Sequence, residues 1–130
     1  LNEFTFKRGG LWKLRRIAVL GDMRELGELA ETEHKKLAEI ARKTADVIIT
    51  VGPLWKEYSE FEYQFDNFYQ AGKFLRTFIK NGDVILFKGS QNTIFLEGAV
   101  EMCLKNKSDA SLLCRRGKFW NKKRHSKAKY

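Results

Sequence analysis

The loop at residues 21–27 (Gly-Asp-Met-Arg-Glu-Leu-Gly) holds an informative group of side chains in this chain of 130 residues. Asp22 and Glu25 supply two carboxylates, which are acceptors that suit the ammonium group of a substrate. Met23 stands between them and is expected to pack at the wall of a site. Asp22 has a second use, because aspartate in a tight turn commonly braces the loop by accepting backbone N–H bonds. Bracing of the loop is the favoured use of Asp22, and contact with a substrate ammonium group stays open as the alternative.

A second loop, Lys88-Gly89-Ser90-Gln91, supplies a cation, a hydroxyl and backbone N–H groups. Such donors suit a carboxylate or a phosphate. Ser90 is the first choice for this contact, with the backbone N–H groups of Gly89 and Gln91 beside it. A helix is expected to begin at this loop, and helix amino termini favour anions. The alternative is that Ser90 or Thr93 only caps that helix.

Each loop directly follows an apolar run that predicts a buried strand. Residues 17–20 precede the first loop, and residues 84–87 precede the second. Apolar runs without alternation are typical of parallel strands that are covered on both faces. Ligands of open α/β sheets bind at the carboxyl ends of such strands. The two loops should therefore lie side by side on one edge of the sheet and form a single pocket.

Further strand and helix patterns alternate along the chain. Strands are predicted at 47–51 and 63–65, and helices at about 31–44, from Pro53 onward, at 71–79 and at about 93–105. The first helix is expected to bury Leu37, Ile40, Ala41 and Ala45. Short connections of this kind demand parallel pairing through crossovers. The predicted fold is α/β, a Rossmann-like three-layer sandwich with a mostly parallel sheet, with Val19 and Ile85 in central strands and the amino-terminal strand and helix truncated.

The positive charge of the chain is concentrated at its carboxyl end. Of the net charge of +9, eight charges belong to residues 115–130, which contain no acid. The sequence thus predicts a nearly neutral domain at 1–114 and a basic tail at 115–130. Phe119 and Trp120 among these cations also match a nucleic-acid footprint, in which aromatic rings stack on bases. A solvated tail, with Leu112, Leu113 and Trp120 packed back on the domain, is the simpler interpretation and argues against nucleic acid as a partner.

Several classes of protein are disfavoured by composition. No apolar run approaches the roughly 20 residues that span a bilayer, and the first residues lack the pattern of a signal peptide, so a cytoplasmic location without a membrane partner is expected. Cys103 and Cys114 are too few for a zinc site, and we expect free thiols and no bound metal. A chain of this length and hydrophobic content forms one globular domain.

Taken together, an ordered set of motifs resembles the carboxy-terminal domain of the Mur ligases, the ATP-dependent amide-forming enzymes of peptidoglycan synthesis. The set consists of Val-Leu-Gly-Asp-Met-x-Glu-Leu-Gly at 19–27, then His34, the segment 48–52, Lys-Gly-Ser at 88–90, and Glu97. The resemblance covers roughly residues 15–104. Within the family, the pattern is most similar to the members that add D-alanyl-D-alanine.

This resemblance implies a function for the site. In such ligases, ATP phosphorylates the carboxylate of a UDP-N-acetylmuramoyl tripeptide, and the amine of D-alanyl-D-alanine attacks the acyl phosphate. The carboxy-terminal domain holds the dipeptide and closes over a central domain. ATP and Mg²⁺ are expected on domains outside this chain, which has no Gly-x-x-x-x-Gly-Lys-Ser/Thr loop. The chain alone should then be inactive and free of cofactors. The alternative is a free-standing basic Rossmann-like module that binds RNA or another polyanion.

Three further residues of these motifs have uses to be weighed. Lys88 pairs either with the dipeptide carboxylate or a phosphate, or with Asp22 or Glu25 in an internal salt bridge, which is the favoured alternative. Gln91 stands where many relatives have an arginine. His34 is expected to be solvated or to brace a loop rather than to act in catalysis. No catalytic residue is assigned to this chain.

Overall fold

The computed structural model describes residues 14–90 and 93–128, and its centre is a sheet of four parallel strands. The strands are β1 (Arg16–Gly21), β2 (Val47–Val51), β3 (Tyr63–Phe65) and β4 (Val84–Lys88), in the order β3-β2-β1-β4. The first strand of the chain pairs with both β2 and β4. Val19 is therefore central, as predicted. Ile85 is not, because β4 ends the described sheet and leaves this residue only half-buried.

Helices cover both faces of the sheet, which confirms the predicted three-layer α/β fold. Side chains alternate along β1, so Ile17 and Val19 face one helical layer and Ala18 and Leu20 face the other. The first layer is formed by α3 (Phe68–Phe78) and α4 (Leu96–Cys103), the second by α1 (Ala30–Thr44) and α2 (Pro53–Tyr58). The predicted amino-terminal truncation concerns residues outside the described ranges.

The predicted buried face of α1 is confirmed for Ala41, which is buried, and for Leu37 and Ala45, which pack against the core, but it is wrong for Ile40. His34, Ala38 and Ala41 face the core, whereas Ile40 is 57% exposed. Small side chains allow the helix to approach the sheet closely, and the larger Ile40 is turned to the outside. The periodicity predicted the helix correctly but wrongly included Ile40 in its buried face.

The helix after β4 begins later than predicted. A turn at Thr93 and Ile94 and a left-handed Phe95 (φ 53°) precede α4, which starts at Leu96. Neither Ser90 nor Thr93 caps it, since the residue at its amino terminus, Phe95, makes no side-chain cap bond. Ser90 is therefore not at a helix amino terminus, and the anion argument based on that position is wrong.

The predicted basic tail takes part in the fold. Residues Lys118–Lys127 form α5, and Trp120 packs edge-on against Phe95 with 6.4 Å between ring centroids. Arg124 is 7% exposed. The prediction of a solvated tail is wrong for this arginine, and Leu112, which is 83% exposed, does not pack back on the domain. Two short 3-10 segments, Gly27–Leu29 and Lys107–Leu112, complete the described elements.

An ion pair between Arg15 and Asp83 joins the starts of β1 and β4. Arg15 donates from Nε and Nη2 to the two carboxylate oxygens of Asp83 at 2.9 and 2.7 Å, and Asp83 also accepts the N–H of Lys80 at 2.8 Å. Burial acts to raise the pKa of Asp83, but the bonds from Arg15 and Lys80 outweigh it, so this pKa lies below the ordinary value.

Changing Asp83 to asparagine should therefore destabilise the protein in a pH-dependent way. We expect the free energy of unfolding to fall by about 1–3 kcal/mol at pH 7, because bonds to a charged acceptor are lost. The carboxylate's contribution is present above the ordinary aspartate pKa of about 3.9 and is lost as pH falls through the lowered native pKa. Chemical denaturation at a series of pH values measures this, with the exposed Asp109→Asn as control. An equal loss at every pH would show that charge is not the cause.

Candidate functional site

The two predicted loops meet at the carboxyl edge of the sheet. The backbone N–H of Arg24 donates to Ser90 Oγ at 2.6 Å, and the N–H of Ser90 donates to the carbonyl of Asp22 at 3.1 Å. Gly21 and Gly89 permit this approach, because a Cβ added at Gly89 would lie 3.0 Å from the Gly21 Cα. The prediction that the loops lie side by side is confirmed.

Asp22 is turned into the protein rather than towards the edge. Its side chain has no exposed surface, and its two carboxylate oxygens accept the N–H groups of Leu54 and Trp55 at 3.2 and 3.1 Å. Burial raises the pKa of the Asp22 carboxyl, although these N–H groups and the Arg24 guanidinium, 3.3 Å away, act to lower it. Asp22 therefore ties the first loop to the start of α2.

The backbone at Gly52 makes room for this carboxylate. Gly52 has φ 122°, in the region that side chains rarely adopt, and a Cβ there would overlap the Asp22 carboxylate. The predicted bracing by Asp22 is thus present, but it reaches across to the next helix rather than within its own turn. An ammonium ligand cannot reach this carboxylate from the solvent, because the Asp22 side chain has no exposed surface.

His34 holds the other side of the same loop. It is completely buried, its Nε2 accepts the N–H of Met23 at 3.1 Å, and its Nδ1 lies 2.7 Å from the carbonyl of Ala30. Because Nε2 accepts, Nδ1 carries the proton and donates. The loop-bracing use of His34 is confirmed and the solvated one is wrong. Met23 itself is half-buried.

The groups left at the edge are a hydroxyl, a lysine and a glutamate. Ser90 Oγ accepts one bond and keeps its proton to donate. Lys88 is exposed and makes no ion pair with any residue of the described ranges, so the predicted salt bridge to Asp22 or Glu25 is wrong. Glu25 is exposed in a left-handed conformation (φ 68°). Gly89 is exposed beside them, whereas Gln91 lies outside the described residues.

Arg24 is a residue of this edge that the sequence prediction missed. Its side chain is 39% exposed and lines a small pocket of about 150 Å³ together with Lys127 of α5 and Asp66, which follows β3. The pocket therefore joins the loops after β1 and β3 to the tail. The sequence shows a cation at position 24 of the first loop, but it does not show that Lys127 approaches this position.

Within the described ranges, no three His, Cys, Asp or Glu side chains come together as a metal site, and no helix is long and apolar enough to cross a membrane. Cys103 and Cys114 are free thiols, as predicted.

Comparison with known proteins adds a family and a related structure. The family model described as Mur ligase, glutamate ligase domain, matches residues 7–91. A solved structure, that of MurF ligase from Thermotoga maritima in complex with ADP, is similar with a TM-score of 0.58 and 25% sequence identity. The similarity covers 75% of this chain but only 23% of the MurF chain. No curated protein matches this chain.

Proposed function

Because this chain belongs to the Mur ligase family through its glutamate ligase domain, we infer that it works as the substrate-closing domain of an ATP-dependent peptidoglycan-precursor ligase. The substrate proposed is D-alanyl-D-alanine, which the whole enzyme would join to a UDP-N-acetylmuramoyl tripeptide. The similarity to MurF ligase supports this choice. A cytoplasmic location stays a prediction that accompanies it.

The observation that carries the proposal is the junction of the two loops. Arg24 N–H and Ser90 Oγ, at 2.6 Å, hold the end of β1 against the loop after β4. Because the carboxylate of Asp22 is turned inward, the junction presents mainly donors: the Ser90 hydroxyl, the Lys88 ammonium and the Arg24 guanidinium. Such an edge suits the carboxylate of a small substrate.

The dipeptide is a zwitterion, and the edge offers partners for both ends. In the proposed complex, Ser90, Lys88 and the backbone N–H of Gly89 and of Gln91 bind its carboxylate. Glu25 rather than Asp22 orients its ammonium group, because Asp22 is occupied by backbone donors. Met23 packs at the wall. Fixing the amine in this way lowers the entropic part of the activation barrier for its attack on the acyl carbon.

The residues of this chain are proposed to bind and position, not to act on ATP. The whole family's chemistry uses ATP, and Mg²⁺ is expected with it. The described residues offer neither a phosphate loop nor a group of three metal-ligating side chains. No step of the proposal therefore takes place at a nucleotide bound by these residues, and inactivity of the chain by itself stays a prediction.

Titration of the isotopically labelled 130-residue chain with D-alanyl-D-alanine tests the site. We expect saturable NMR shifts of backbone amides in residues 21–27 and 88–90, because both loops would contact the ligand. L-Alanyl-L-alanine serves as the matched control and should bind more weakly, since the positions of its methyl groups are inverted. Shifts confined to other surfaces, or equal binding of the two isomers, would contradict the proposed site.

A further inference from the structure

A larger pocket lies away from the proposed dipeptide site, beneath the tail helix. Its cavity volume is about 480 Å³, within the range of small-molecule sites. One wall comes from the start of α3 and from α4, and the other from the segment after α4 and from α5. We call it the α5 pocket. It belongs to a different part of the fold from the loops after β1 and β4.

The α5 pocket has more positive than negative charge around it. The ion pairs of this region are Arg115 and Arg124 with Glu97, and Arg116 with Glu101. Lys107, which also lines the pocket, has only a long contact of 3.5 Å to the Glu101 carbonyl. Among the residues that line the pocket, three cations (Lys107, Arg116 and Arg124) stand against one carboxylate (Glu101), which leaves two positive charges in excess. A phosphate monoester, with a charge of about −1.5 to −2 at pH 7, matches this excess.

Arg116 has donor capacity that the protein does not use. Its Nη1 donates to Glu101 Oε2 at 2.9 Å and its Nε to the Cys114 carbonyl at 3.3 Å. Its Nη2 is buried and has no partner among the described residues. A buried N–H of a charged group without a partner is uncommon in proteins. Because Arg116 lines the pocket, this group is the donor that we assign to a ligand oxygen there.

The apolar part of the pocket lining suits the aromatic ring of a ligand. Phe68 and Tyr69, at the start of α3, and the thioether of Met102 supply apolar surface beside the cations. Aromatic rings and thioethers make favourable contacts with a flat aromatic ligand. Polar and apolar walls therefore occur side by side in one concave site.

We propose that the α5 pocket binds a small organic phosphate that carries a ring, with its phosphoryl group at Arg116 and Lys107 and its ring against Tyr69. This inference goes beyond the proposed function and does not depend on it, since it uses none of the residues of the loops after β1 and β4. The same pocket gives the tail a use other than solubility.

Binding of phenyl phosphate to the 130-residue chain tests the proposal. Calorimetry and NMR titration should show saturable binding with shifts at pocket residues, and inorganic phosphate, which lacks the ring contact, should bind about three- to tenfold more weakly. Lys107→Gln should weaken phenyl phosphate about tenfold through the loss of one charged bond. Lys105→Gln removes the same charge two positions away, outside the pocket, and should change affinity less than about twofold.

A second variant keeps the test valid if single changes disturb the fold. Arg116→Gln with Glu101→Gln removes the guanidinium without leaving its partner unpaired, and it should also weaken binding about tenfold or more. Absence of saturable binding would overturn the proposal, as would equal effects of Lys107→Gln and Lys105→Gln. Tighter binding of a single-stranded RNA that is weakened by Lys122→Gln and not by Lys107→Gln would overturn it too, and would assign the tail to nucleic acid.

Discussion

Changing Glu97 to alanine is expected to lower the free energy of unfolding by about 3–5 kcal/mol, the range seen when one partner of a buried ion pair is removed. The Glu97 side chain is 7% exposed and accepts Nη1 of Arg115 and Nη1 of Arg124, each at 3.2 Å. Without it, the Arg124 guanidinium, itself 9% exposed, would stay buried with no carboxylate partner. Urea denaturation of the purified chain measures the loss.

Glu101→Ala is the matched control for this change. Glu101 lies one helical turn further along α4 and pairs with Arg116, but its side chain is 40% exposed. Because this pair is much more exposed than the Glu97 cluster, solvent screens it, and Glu101→Ala should cost about 1 kcal/mol. Equal effects of the two substitutions would mean that Glu97 acts as a surface residue and that α5 is not held by this ion-pair cluster.

In a full-length enzyme that contains this domain, Ser90→Ala is expected to raise the KM for D-alanyl-D-alanine about tenfold to a hundredfold. In the proposed complex, the change removes a hydrogen bond from Ser90 to the dipeptide carboxylate, and such a bond contributes roughly 1.5–3 kcal/mol when the partner is charged. The KM for ATP should remain nearly unchanged, because the proposed role of Ser90 concerns the dipeptide alone. Steady-state kinetics with each substrate varied in turn measures both constants.

Ser108→Ala provides the control for the kinetic prediction, since Ser108 is exposed in the 3-10 segment after α4. It should leave both constants unchanged. An unchanged dipeptide KM in Ser90→Ala would limit Ser90 to holding Arg24 and the two loops together. A selective defect for ATP would instead assign the loop after β4 to the nucleotide.

The strands could be predicted from the sequence because their signal is local. An apolar run such as Ile17–Leu20 requires cover on both faces wherever it lies, and its carboxyl end then fixes the edge at which loops meet. The orientation of α1 is harder to predict from the sequence. Ile40 and Ala38 both fit a helical period, and only the distance between helix and sheet selects the smaller side chain for the core.

The contacts of the site and of the tail depend on long-range pairing that periodicity does not report. Asp22 bonds to Leu54 and Trp55, more than thirty positions away, so its inward orientation follows from the placement of α2. From the sequence alone, a solvated tail is the simpler interpretation of residues 115–130. Its buried arginine instead pairs with Glu97 on α4, which the charge count of residues 115–130 alone does not include.

The central position of β1 also has a consequence for how the domain is made. Residues 17–20 leave the ribosome before β2 or β4, the two strands that pair with them, has been synthesised. The Arg15–Asp83 ion pair joins residues 68 positions apart. Parallel pairing over such separations requires closure of long loops before any contact is gained, which slows folding. Until β4 has been synthesised, one side of an apolar strand stays unpaired and open to other chains. We therefore expect aggregation during synthesis, rather than unfolding of the finished domain, to limit the yield of this protein.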